Sequence, residues 1–133
     1  TKYTKKKTVL VVEDEKPIVE AIKIKFEKNG FVVVTAHTAQ QAFNHLKNLG
    51  TVDAIWLDHY LLGKENGLDF AAKLKKHDGL WKTIPIFVIS NTASSSNVKS
   101  YIQLGINKYY VKVEHRLDKI INEIKLFLDH LEK

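Results

Sequence analysis

Cysteine and methionine are both absent from this chain of 133 residues. Lack of cysteine excludes disulfides, a thiol nucleophile and cysteine-ligated metal, and suits a reducing, cytoplasmic setting. Lack of methionine means that Thr1 is not expected to be a native start, so the chain reads as processed or trimmed. No apolar run approaches the roughly 20 residues that a membrane-spanning helix needs, and no signal-peptide pattern opens the chain. Helix-turn-helix and zinc-finger signatures are missing too, so the formal charge of +6 is not read as direct nucleic-acid binding. Part of that charge lies in Lys2, Lys5, Lys6 and Lys7, in a basic tail over residues 1–7, and the other lysines mostly dot helix faces. No linker or repeat interrupts residues 8–133, so a single domain with a real core is expected there.

What is present alternates strand and helix signals five times. Val9-Leu10-Val11-Val12 reads as a first strand, and Pro17 suits a helix start. Ile18, Ile22 and Phe26 then recur at helical spacing until Asn29-Gly30. Phe31 to Thr35 reads as a second strand, and Thr38 and Gln41 have capping-box spacing before a helix lined by Ala39, Ala42, Phe43 and Leu46. Asp53 to Asp58 reads as a third strand and Leu68 to Lys76 as a helix, followed by a loop through Gly79 to Pro85. Ile86 to Ser90 is a fourth strand, Ser94 to Ser96 leads into a helix ending at Gly105, and Tyr109 to Val111 is a short fifth strand. Leu117, Ile120, Ile121, Ile124, Phe127, Leu128 and Leu131 form one apolar stripe of a last helix. This order predicts an α/β fold: one doubly wound, parallel, five-stranded sheet of flavodoxin-like (βα)5 type, with helices on both faces.

Two of the apolar runs stop on acid. Val9 to Val12 meets Glu13-Asp14, and Ala54 to Leu57 meets Asp58. Open α/β sheets bind ligands at the carboxyl ends of their strands, so neighbouring runs would bring Glu13, Asp14 and Asp58 into one crevice. Like charges there repel unless a proton or cation intervenes, and hard oxygen ligands suit Mg²⁺. The fourth strand ends on Ser90 and the fifth leads to Lys112. Taken singly, Ser90 also suits a cap, Lys112 a solvated strand end, and Glu13-Asp14 a helix start. Asp58 resists such a reading, because an acid closing a buried run is costly without compensation. The six histidines show no metal-ligand spacing, and His59 reads as a surface residue. Tyr101, Tyr109 and Tyr110 read as core or switch aromatics.

Two acids, a central aspartate, a hydroxyl and a lysine at successive strand ends resemble the receiver domain of two-component response regulators. The likeness spans nearly the whole chain and rests on Val9 to Glu15, Leu57-Asp58, Pro85 to Ser90 and Tyr109-Tyr110-Val111-Lys112. It implies that Asp58 accepts a phosphoryl group from a sensor histidine kinase or histidine phosphotransfer protein. By the same resemblance Mg²⁺ is held by Asp14 and Asp58, by Glu13 through water and by the Tyr60 carbonyl. Ser90 and Lys112 act on the phosphoryl group, Ser90 and Tyr109 form the switch, and the last-helix face serves a homodimer or effector. Such a domain is no enzyme beyond its own phosphorylation and dephosphorylation.

Four departures stand against the family pattern. Leu62 replaces a usual proline, which predicts a looser loop, and Gly67 comes one residue late. Asn91 replaces a small residue, and Val113 replaces the proline after Lys112. A trans Lys112-Val113 peptide is therefore expected, because a cis bond before a non-proline residue costs roughly 2.5–4 kcal/mol. A flavin carrier is disfavoured because the turn Glu13 to Pro17 lacks a phosphate cradle. An aspartate phosphohydrolase is disfavoured because Tyr60 stands where its second aspartate belongs. The departures leave open an atypical receiver-like interaction module that works without phosphorylation.

Overall fold

Burial on both faces makes the apolar runs strands. The computed structural model describes residues 6–91 and 94–131. In it, β1 (Thr8–Val12), β3 (Ala54–Leu57) and β4 (Ile86–Ser90) form the centre of the sheet, flanked by β2 (Val32–Ala36) and β5 (Lys108–Val111). All pairings are parallel and the strand order is β2-β1-β3-β4-β5. Five helices connect and follow the strands: α1 (Lys16–Lys28), α2 (Ala39–Leu49), α3 (Gly67–Lys75), α4 (Ser95–Leu104) and α5 (Leu117–Leu131). None of them is long and apolar enough to cross a membrane. Lys2 and Lys5 lie outside the described residues.

Alternation along each strand divides the core into two layers. Val9, Val11 and Trp56 face Ile22 and Phe26 of α1 and Ile120, Ile121, Ile124 and Leu128 of α5. Leu10, Val12, Ile55 and Leu57 face Ala42 and Leu46 of α2, Phe70 and Leu74 of α3, and Tyr101 of α4. The sheet is thus covered on both faces, as the near-continuous apolar runs require. Helix starts follow the local chemistry. Thr38 Oγ1 accepts from the Gln41 amide at 3.0 Å, while Gln41 Oε1 reaches back to the His37 amide rather than to Thr38. Asn66 and Asp69 form a complete capping box at α3.

Some boundaries differ from the pattern reading. β2 runs from Val32 to Ala36, and Phe31 is buried just before it. β5 begins one residue earlier, at Lys108, and the loop after α3 contains a 3-10 turn, Leu80–Thr83. Leu131 closes the α5 stripe but is exposed.

Candidate functional site

Register brings the strand ends together. Val12 pairs with Leu57, so Glu13 and Asp58 emerge side by side, and Ser90 pairs with Val111, so Lys112 emerges next to Ser90. Backbone bonds extend this order one residue further: the Glu13 amide donates to Ala36 O at 2.9 Å and the Asp58 amide to Val12 O at 3.0 Å. Glu13 and Asp58 are buried, and Asp14 is partly exposed. One carboxylate oxygen from each of Glu13, Asp14 and Asp58 lies within 4.8 Å of the others. Lys112 Nζ donates to Glu13 Oε1 at 2.8 Å and reaches Asp58 Oδ2 at 3.5 Å. The lysine expected to pair with Asp58 is thus bonded more closely to Glu13. The Glu15 amide adds a longer contact to Glu13 Oε2 at 3.3 Å.

Charge does not balance among these side chains, since three carboxylates face one ammonium. Burial raises the Glu13 carboxyl to about 7, and the Asp58 charge adds to this rise against the pull of Lys112. Burial likewise raises Asp58, opposed by Lys112 and by the Tyr60 amide. Burial alone would lower the Lys112 ammonium, but Glu13 and Asp58 outweigh it and hold it above its ordinary value. Such a site takes a proton or a cation, and three clustered carboxylates are the donor set that hard divalent cations prefer. Mg²⁺ fits these residues. Among the described residues this is the one group of three or more acids or histidines close enough to share an ion.

Ser90 is fully buried at the end of β4, and its Oγ makes no well-formed hydrogen bond among the described residues. The Tyr109 hydroxyl nonetheless lies close enough for Ser90 to offset part of the rise that burial imposes on the phenol. Tyr109 is half-buried, with its ring 5.7 Å from that of Tyr101. The Tyr60 amide approaches Asp58 Oδ1 at 3.5 Å, and the Tyr60 side chain is half-exposed. Beside Lys112 an apolar cleft of about 320 Å³ opens between α1 and α5, lined by Ile18, Trp56, Leu117 and Ile120 among others.

His59 corrects the surface reading. It is buried, with Nδ1 2.8 Å from Tyr101 Oη, because α4 closes over the end of β3. No periodicity could signal a contact across 42 residues. Gly67 also has a role that spacing did not reveal. A Cβ there would stand 2.4 Å from Asp58 O and 2.7 Å from Tyr101 Oη, so only glycine lets α3 start so close to the acid. Leu62, at the expected looser loop, forms a parallel bridge with Thr38. Asn91 is exposed beside the site. No described peptide is cis, so the Lys112-Val113 bond is trans as expected, within a 3-10 turn over Lys112–Glu114.

A family model, the response regulator receiver domain, matches residues 9–125. The phosphate regulon transcriptional regulatory protein PhoB of Pseudomonas aeruginosa is 33% identical over 106 residues, covering 80% of this chain and 45% of that protein. PhoB of Klebsiella pneumoniae is 35% identical over 104 residues, covering 78% and 44%. The chain therefore spans less than half the length of these relatives. Among solved structures, a CheY-like receiver domain protein from Methanospirillum hungatei superposes with a TM-score of 0.85 at 23% identity, covering 96% of this chain and 98% of the other. The phosphorylated cyanobacterial phytochrome response regulator RcpA gives 0.83 at 25% identity, covering 93% and 94%.

Proposed function

The chain belongs to the response regulator receiver family of two-component systems, and from that premise we propose that Asp58 is its phosphoacceptor. The observation that carries this is the buried Asp58 carboxylate facing Lys112 with two further acids beside it. An Asp58 oxygen attacks the phosphorus of a phosphohistidine on a sensor kinase or phosphotransfer protein. The O–P bond forms as the N–P bond breaks, and the electron pair stays on the donor imidazole. Transfer of this kind needs an in-line nucleophile and charge stabilisation, and little covalent chemistry from the protein.

Each neighbour has a part. Asp14 and Asp58, Glu13 through water and the Tyr60 carbonyl would hold Mg²⁺, which when bound offsets phosphoryl charge. Lys112 supplies a fixed positive charge to the phosphoryl oxygens. The Ser90 hydroxyl, buried without a well-formed bond, turns to a phosphoryl oxygen, and Tyr109 follows it inward, remodelling the face built by α4, β5 and α5. That face serves an effector or a second copy, and the shift selects one of two existing states. The apolar cleft beside Lys112 gives a protein donor a seat next to the acceptor. The domain catalyses only its own phosphorylation and dephosphorylation, in the reducing cytoplasm that a cysteine-free chain suits.

Incubation with acetyl phosphate, read by intact mass, tests this. One added phosphoryl group is expected, dependent on Mg²⁺, base-labile and absent from Asp58→Asn. If acetyl phosphate and several histidine kinases all leave the wild-type chain unmodified, and it takes up no beryllofluoride, an unphosphorylated interaction module replaces this reading.

A further inference from the structure

His59, the residue after Asp58, is tied to a helix far along the chain. Its Nδ1 lies 2.8 Å from Tyr101 Oη and its Nε2 3.4 Å from Asn97 Nδ2, both on α4. An amide nitrogen only donates, so Nε2 presents its lone pair to Asn97, and Nδ1 carries the proton donated to the tyrosine oxygen. Both partners are neutral near pH 7, because burial lowers the His59 imidazolium and raises the Tyr101 phenol. The Tyr101 ring is fully buried, edge-on to His59 and tilted against Tyr109.

The backbone around this bond has no slack. The Gly67 amide donates to His59 O at 2.8 Å, and Gly67 itself packs against Asp58 O and Tyr101 Oη. The Asp58–His59 peptide is therefore held between the start of α3 and the middle of α4. A movement of that peptide, when the Asp58 carboxylate gains a bulky charged group, must carry Tyr101 with it or break a buried hydrogen bond. Such a bond is expensive to leave unmade, so the two outcomes are distinct states rather than a gradual give.

We propose that His59 is a positioning residue that fixes the Asp58 segment to α4 through Tyr101, giving the acceptor a link to α4 separate from the Ser90–Tyr109 pair. This inference rests on the phosphoacceptor reading. It explains why a ring nitrogen and a phenol are buried where an aliphatic pair would fill the same layer.

Backbone NMR of the whole chain, with and without beryllofluoride and Mg²⁺, tests it. Tyr101→Phe keeps the ring and deletes only the hydroxyl, and His59→Asn keeps a donor near the position of Nδ1. In Tyr101→Phe the beryllofluoride-induced shifts over residues 97–104 should fall below half of the wild-type values, while those at Ser90 persist. His59→Asn should retain most of the α4 response and His59→Leu should lose it. If His59→Leu does not fold, Tyr101→Phe alone carries the result. A wild-type chain that responds, with α4 responding equally in Tyr101→Phe, overturns this link and spares the phosphoacceptor. A wild-type chain that shows no response at Asp58 overturns both.

Discussion

Glu13 holds the nearest contact to Lys112, yet its carboxyl is pushed up to about 7. Burial is the main cause, and the sign of its effect on folding follows directly. The folded chain binds more protons at Glu13 than the unfolded chain wherever the pH lies between the ordinary 4.5 and about 7. Without metal, stability should therefore fall as pH rises through that window, by about 1.4 kcal/mol for each unit fully crossed. Urea unfolding at a series of pH values should show this slope, and Glu13→Gln should flatten it. A slope unchanged in Glu13→Gln would place the uncompensated charge elsewhere. Gly67 gives a second prediction at this scale. Its Cβ would meet backbone oxygen rather than a flexible side chain, so Gly67→Ala should lower the unfolding free energy by about 1–3 kcal/mol, as overpacking does. Chemical denaturation reads it.

Elements differ in how plainly the sequence declared them. β1, β3 and β4 are apolar on both faces and run into Glu13, Asp58 and Ser90, so both the strands and the cluster of polar side chains at their tips were legible. β2 was misplaced by one residue because it is an edge strand with Val32 exposed, and its pattern gives no sharp start. The 3-10 turn at Leu80–Thr83 has no fully buried residue, only Trp81 packed against the edge of the core, and left no periodicity to read. In the site, Glu13, Asp14, Asp58, Ser90 and Lys112 could be collected because each closes or follows a strand. His59 and Tyr101 could not, because only tertiary packing joins them. The capping box that opens α3 is a local feature with a local test. Asn66 Oδ1 accepts from the Asp69 amide at 2.9 Å, and Asp69 Oδ2 accepts from the Asn66 amide at 3.0 Å. Asn66→Ala should cost about 1 kcal/mol, measured by thermal or urea unfolding. Because α3 begins against Asp58 O, the same change should also slow phosphorylation by acetyl phosphate.

For the whole molecule, the excess of negative charge at one end of the sheet couples folding to any cation that the three carboxylates take up. A ligand that binds only the folded chain stabilises it, by about 2.7 kcal/mol at a hundredfold excess over Kd. Mg²⁺ should raise the unfolding midpoint of the wild-type chain in a saturable way and leave that of Asp14→Ala nearly unchanged. Scanning calorimetry with and without the ion distinguishes the two, and equal responses would remove Asp14 from the ion site. The ion pair between Lys112 and Glu13 joins residues 99 apart, from the fifth strand back to the first. A nascent chain that has emerged through α4 already carries all three acids and the serine, but not the lysine that faces them. Synthesis must pass β5 before the acids gain their fixed counter-charge, so a ribosome-bound fragment ending at α4 holds three carboxylates at the strand ends with no ammonium from Lys112 to face them.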